Sequence, residues 1–247
     1  MMQRTDSKIE ESEIEKSLKF VYPKFNELFA RRLDDISILN MGEDSVRYDF
    51  FSALTQVLKL KTWDLQLEYP ISDDAYVPRM DPKSRRKENP QIDLVITNEN
   101  LNASFEFGFF KRNSNPKGTI NKTGRTLKMI NDFVRLGLYS FYTRSESYFV
   151  CVADSFMLKH RMDCKVYEAF PATKYYVSLN EINHLRDAVI TKGFFDERFF
   201  QKAESLNVSF EASLIHSAEI IAKTLEHETR TLVWKIVADH SYDKRTS

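Results

Sequence analysis

Glycine is scarce in this 247-residue chain, with six in all. Neither GxGxxG nor GxxxxGK(S/T) occurs, so no Gly-rich phosphate loop of either kind is encoded. Cysteine is limited to Cys151 and Cys164, with no CxxC pair and no Cys/His spacing of a zinc site. Cys151 falls in the apolar run YFVCVA and reads as a buried core thiol. Charge of one sign is also lacking: 36 Lys and Arg balance 36 Asp and Glu. Any contact with nucleic acid must therefore come from a local patch. No apolar run approaches the ~20 residues of a membrane-spanning helix. The polar start MMQRTDSKIEESEIEKS is unlike a signal peptide. A soluble cytoplasmic chain without a membrane partner is the expectation. The five histidines, His160, His184, His216, His227 and His240, are scattered, and none forms an i,i+4 metal pair on a helix.

What the chain does have is aromatic bulk, 19 Phe and 11 Tyr, within an ordinary hydrophobic fraction of 42%. Apolar spacing predicts a helix over 7–33 starting at Ser7, with a kink or break where Pro23 interrupts it. A second helix is predicted over 43–60. Strands follow at 63–71, 91–97 and 102–110, the last two joined by the turn NENL, with a long Pro-rich loop over 72–90. A loop over 112–124 precedes a helix over 125–142 and a buried strand over 147–153. A helix near 156–169 and a strand over 174–179 come next. The stretch 181–193 reads as helical, LNVSFEASLI as a strand or part of a helical pair, and 216–240 as one long helix, with TLVWKIV as its strand alternative. Helices and strands in this order predict an α/β layer with a mixed central sheet. The division is a helical N-terminal extension (1–42), an α/β core (43–180) and a mostly helical C-terminal extension (181–247).

Two carboxylates interrupt the hairpin QIDLVITNENLNASFEFGFFK. If Thr97 pairs with Asn102, Asp93 falls directly opposite Glu106, their Cβ atoms roughly 4.5–5.5 Å apart. Ile92, Leu94 and Ile96 then face Phe105, Phe107 and Phe109 on the other side, a stripe that specifies the register. Opposed like charges are destabilising unless they share a proton or a cation. A hard divalent ion takes one or two carboxylates plus water.

These residues resemble the motif of the PD-(D/E)xK nuclease superfamily, which has a restriction-endonuclease-like fold. NPQIDLVI supplies Pro90 and Asp93, and SFEFGFF supplies Glu106. GEDSVRYDFFSALTQVL resembles the helix before the motif, with Glu43 at its acidic position, and LQLEYPI the first core strand, with Glu68 near its end. TLKMINDFVRLGLYSFY and SYFVCVADS resemble the following helix and strand, including Asp132, Arg135 and Leu136. The resemblance spans roughly residues 43–155. It implies a restriction-endonuclease-like mixed sheet flanked by helices. It also implies Mg²⁺ or Mn²⁺ held by Asp93 and Glu106, with Glu43 and Glu68 nearby, and hydrolysis of phosphodiester bonds, with double-stranded DNA the expected substrate. A homodimer accords with such nucleases.

The pattern breaks at Gly108, where the motif has lysine. Three readings stay open. Another cation replaces it (Lys111 through a bulge, Lys128 or Arg125 from the next helix, or Arg47), the fold is an inactive module that binds nucleic acid or a protein, or the resemblance is accidental. Two basic stretches flank the carboxylates: Arg79, Lys83, Arg85, Arg86 and Lys87 before them, and Lys111, Arg112, Lys117, Lys122, Arg125 and Lys128 after. Such loops suit a phosphate backbone.

Overall fold

The computed structural model describes residues 11–78, 89–112, 121–158, 160–161, 169–180, 183 and 196–239. Ser7, Arg79, Lys83, Arg85, Arg86, Lys87, Lys117 and all but one residue of the helix expected over 181–193 lie outside them. In chain order the elements are α1 (Glu13–Asp35), α2 (Glu43–Leu58), β1 (Leu65–Pro70), β2 (Gln91–Thr97), β3 (Asn102–Phe110) and α3 (Lys122–Thr143). Then come β4 (Glu146–Asp154), the two-residue strands β5 (His160–Arg161) and β6 (Ala169–Phe170), β7 (Lys174–Val177), α4 (Glu197–Leu206), β8 (Ser209–Glu219) and β9 (Thr229–Asp239).

Seven strands form one mixed sheet in the order β1–β2–β3–β4–β9–β8–β7. β3 and β4 are parallel, and α3 makes the crossover between them; every other neighbouring pair in this sheet is antiparallel. Helices cover both faces. Because successive residues of a strand point to opposite faces, Phe105, Phe107 and Phe109 of β3, with Tyr148, Val150 and Val152 of β4, pack against α1 and α2. Phe110, Phe149, Cys151 and Ala153 join the other core, under α3 and α4. A strand covered on both sides loses its polar alternation, which is why residues 147–153 read as one continuous apolar run.

α1 begins at Ser12, whose hydroxyl accepts from the Glu15 amide. It runs through Pro23 as one continuous helix, so the proline does not break it. Val21, Tyr22, Phe25 and Phe29 are all buried on either side of the proline, and their burial outweighs the one backbone hydrogen bond that proline forgoes. α1 is thus a wall of one core.

The C-terminal third corrects the expectation of a long helix over 216–240. β8 and β9 form an antiparallel pair, and β9 docks along β4 in the middle of the sheet. Leu232, Val233, Trp234 and Ile236 are buried on both faces, so periodicity alone does not separate strand from helix here. LNVSFEASLI takes its strand alternative, in β8. The helix expected near 156–169 is likewise not seen among the described residues: a turn capped by Asp154 gives way to β5, which pairs with β6.

Candidate active site

The hairpin has the register expected from its sequence. Thr97 pairs with Asn102 and Leu94 with Phe105; the β2–β3 pairing ends there, one step short of Asp93 and Glu106. At that step the Asp93 carboxylate takes over, and its Oδ2 accepts from the Phe107 amide at 3.0 Å. β1 is irregular beside it. Glu68 has φ 51, and the β1–β2 ladder passes from Leu67–Leu94 to Tyr69–Ile92 without pairing Glu68. A left-handed non-glycine residue within a strand carries strain that is common at functional sites. Past this point Ile92 belongs to the α3 side, not to the stripe of Leu94 and Ile96.

Five elements bring charges to this point. Arg47 of α2 donates from Nη2 to Asp93 Oδ1 at 2.7 Å and lies 3.4 Å from Glu68. Arg135 of α3 places Nη2 2.7 Å from Glu106 Oε2 and 2.6 Å from Asp132 Oδ1. Lys128, one turn earlier on α3, donates to both oxygens of Glu43 at 2.8 and 2.9 Å. Carboxylates outnumber cations in this cluster, and some of it is deeply buried: Glu106 is 2% exposed and Asp132 3%.

Protonation follows from that crowding. Burial pushes the Glu106 carboxyl well above the usual range; Arg135 opposes this, while Asp93 and Asp132 add to it. Burial also raises Asp132, to about 6, against Arg135 and Lys128. Arg135 stays charged because Glu106, Asp132 and Asp93 together outweigh its own burial. In this cluster Glu106 Oε1, Asp132 Oδ2, Arg47 Nε and Arg135 Nε are buried and meet no complementary donor or acceptor, while the raised Glu106 carboxyl lies within hydrogen-bond reach of Asp93. Buried polar atoms are ordinarily satisfied, so this crowding costs stability.

Asp93, Glu106, Glu43, Glu68 and Lys128 are therefore brought together. Glu43 is held by Lys128, and the Glu68 side chain is 63% exposed at the rim. Lys111 does not join them. Three residues beyond Gly108 it points to the opposite face, donates to the Leu39 carbonyl at 2.6 Å and lies over the Phe109 ring; no bulge redirects it. Nor does Gly108 leave a hole: a Cβ there would stand 2.8 Å from the Phe149 ring and 3.1 Å from that of Phe110. Arg112 is tied to local packing, its amide on Asp154 and its guanidinium over Phe156. Lys122 and Arg125 lie in the first turn of α3. Asp132 and Arg135 are more central than the sequence indicated. Their signal was the 128–132–135 stripe, which also describes an ordinary solvated helix face.

Among the described residues, no three His, Cys, Asp or Glu side chains are grouped as a ready metal cage. Asp93 and Glu106, on adjacent strands with their carboxyls in reach of each other, match the one or two carboxylates that Mg²⁺ takes before completing its shell with water. No protein-family model matches the chain, and neither a curated protein nor a solved structure does. No helix among the described residues is long and apolar enough to cross a membrane.

Proposed function

We propose that this chain is a divalent-metal-dependent nuclease of the PD-(D/E)xK kind, with a restriction-endonuclease-like core, acting on the phosphodiester bonds of DNA. The observation that carries the reading is the neighbouring pair Asp93 and Glu106. They are two carboxyl groups on the β2–β3 hairpin within hydrogen-bond reach of each other, one of them deeply buried, in a cluster where acids outnumber bases. The order α2, β1, β2, β3, α3, β4 follows the elements of the resemblance, with the parallel β3–α3–β4 crossover placing Lys128, Asp132 and Arg135 over the carboxylates.

Asp93 and Glu106 would hold the ion, Mg²⁺ or Mn²⁺. When bound, it supplies Lewis-acid polarisation of the phosphate and a more acidic water. The chain's own residues do the rest. The Phe107 amide and Arg47 orient the Asp93 carboxylate. Arg135 orients Glu106 and keeps positive charge beside the position of a phosphate oxygen. Lys128 is the lysine whose charge acts on Asp93 and Asp132, and it takes the place of the lysine that Gly108 lacks. The flanking basic residues, Arg79 to Lys87 before the hairpin and Lys117, Lys122 and Arg125 after it, bind the phosphate backbone.

The test is cleavage of double-stranded DNA with Mn²⁺ or Mg²⁺, alongside thermal stabilisation by the same ions. Wild type should cleave and gain stability with metal. Asp93→Asn and Glu106→Gln should do neither. Metal-dependent cleavage that survives Glu106→Gln defeats the proposal. The second reading, an inactive nuclease-fold module, is favoured by Gly108 and its closed surroundings; metal-induced stabilisation with no cleavage by wild type would select it.

A further inference from the structure

Glu43 and Lys128 reach each other from two different helices. Glu43 is the first residue of α2, and α2 is fixed on the sheet by buried Val46 and Phe50. Lys128 lies in the second turn of α3, on the same stripe as Asp132 and Arg135. Its ammonium donates to both Glu43 oxygens. A lysine side chain has four flexible methylenes and a point charge, and a carboxylate accepting through both oxygens is a direct way to hold it in one place.

Two further observations set aside Gly108 and Lys111 as the source of a lysine. The Gly108 position is closed by the Phe149 and Phe110 rings, and Lys111 is committed to the opposite face. Lys128, in contrast, interacts electrostatically with Asp132, Glu43 and Asp93. The Glu43–Lys128 pair is itself partly open to solvent, with side chains 28% and 43% exposed. An isolated pair of that kind adds little to stability, so its place beside the carboxylates calls for another explanation.

We infer that Glu43 is a positioning residue: it holds Lys128 as the catalytic lysine and does not ligate the metal. This rests on the nuclease reading above. Glu43 acts through Lys128 alone, so removing Glu43 should cost no more turnover than removing Lys128.

The experiment uses the full chain with a double-stranded DNA oligonucleotide and Mn²⁺ under single-turnover conditions, and calorimetry of Mn²⁺ without DNA. Glu43→Gln should lower the maximal cleavage rate by roughly 10–100-fold, as loss of an orienting partner does. KM and Mn²⁺ affinity should stay within about twofold of wild type, while Glu106→Gln loses Mn²⁺ binding. Lys128→Ala should lower the rate at least as far, and the double variant should be no slower than Lys128→Ala. An unchanged rate in Glu43→Gln overturns the inference. So does a loss of Mn²⁺ affinity equal to that of Glu106→Gln, or additive losses in the double variant. If wild type itself does not cleave, the nuclease reading fails and this inference falls with it; wild-type cleavage with any of those three results defeats the inference alone.

Discussion

Asp132→Asn should make the metal-free protein more stable, and the size of the gain follows from the site. Asp132 is 3% exposed, and its carboxyl is raised by burial from 3.8 to about 6. The folded chain therefore binds this proton more tightly than the unfolded chain does. Stability from the group is fully present below pH 3.8, falls as pH rises from there through about 6, and is constant beyond. A rise of about two units corresponds to about 3 kcal/mol, which the charged side chain costs at pH 8. Asparagine keeps an acceptor for Arg135 and carries no charge to bury. For a chain of this length, 1 kcal/mol shifts Tm by about 2–4 °C. The variant should thus melt about 6–12 °C above wild type at pH 8 in EDTA and level with it near pH 4. Arg135 binds both Asp132 and Glu106. Scanning calorimetry from pH 4 to pH 8 measures it. A variant no more stable than wild type at pH 8 would show that the Arg135–Asp132 pair outweighs burial, and the argument for a strained, ligand-seeking site would fail.

Gly108→Lys should not create activity: its Cβ would stand 2.8 Å from the Phe149 ring, so urea melts should show a loss of about 1–3 kcal/mol from overpacking, and cleavage assays no gain in rate. Gly137→Ala should destabilise by a similar ~1–3 kcal/mol, because a Cβ there would overlap the Phe210 ring where α3 crosses β8; an unchanged urea midpoint would disprove that contact. Reversing the charges of Arg85, Arg86 and Lys87 together should weaken DNA binding and flatten its dependence on salt, and an unchanged salt slope by fluorescence anisotropy would remove that loop from the interface.

Much of the hairpin was legible because strand periodicity is two and a short turn leaves few registers. Leu94, Ile96, Phe105 and Phe107 demand one face, and the structure agrees for those four, although the ladder stops before Asp93 and Glu106 and Ile92 joins the α3 side. The helix–strand order from 43 to 155 was legible for similar reasons of spacing and turn residues. By itself the sequence therefore determined the hairpin register and the α/β elements around the two carboxylates. It did not determine which cation serves them. Lys111 and Lys128 are both near Glu106 along the chain, and strand alternation turns one away while the α3 crossover swings the other over the sheet. Nor did it determine that TLVWKIV is a central strand. A segment buried on both faces has no polar side to reveal its period, and its pairing partner, β4, lies some eighty residues earlier. The ion pairs of Arg47 and Arg135 were equally hidden, since a charged helix stripe looks the same in solvent as over a carboxylate pair. Only the folding of α2 and α3 onto opposite sides of one hairpin decides that these charges meet.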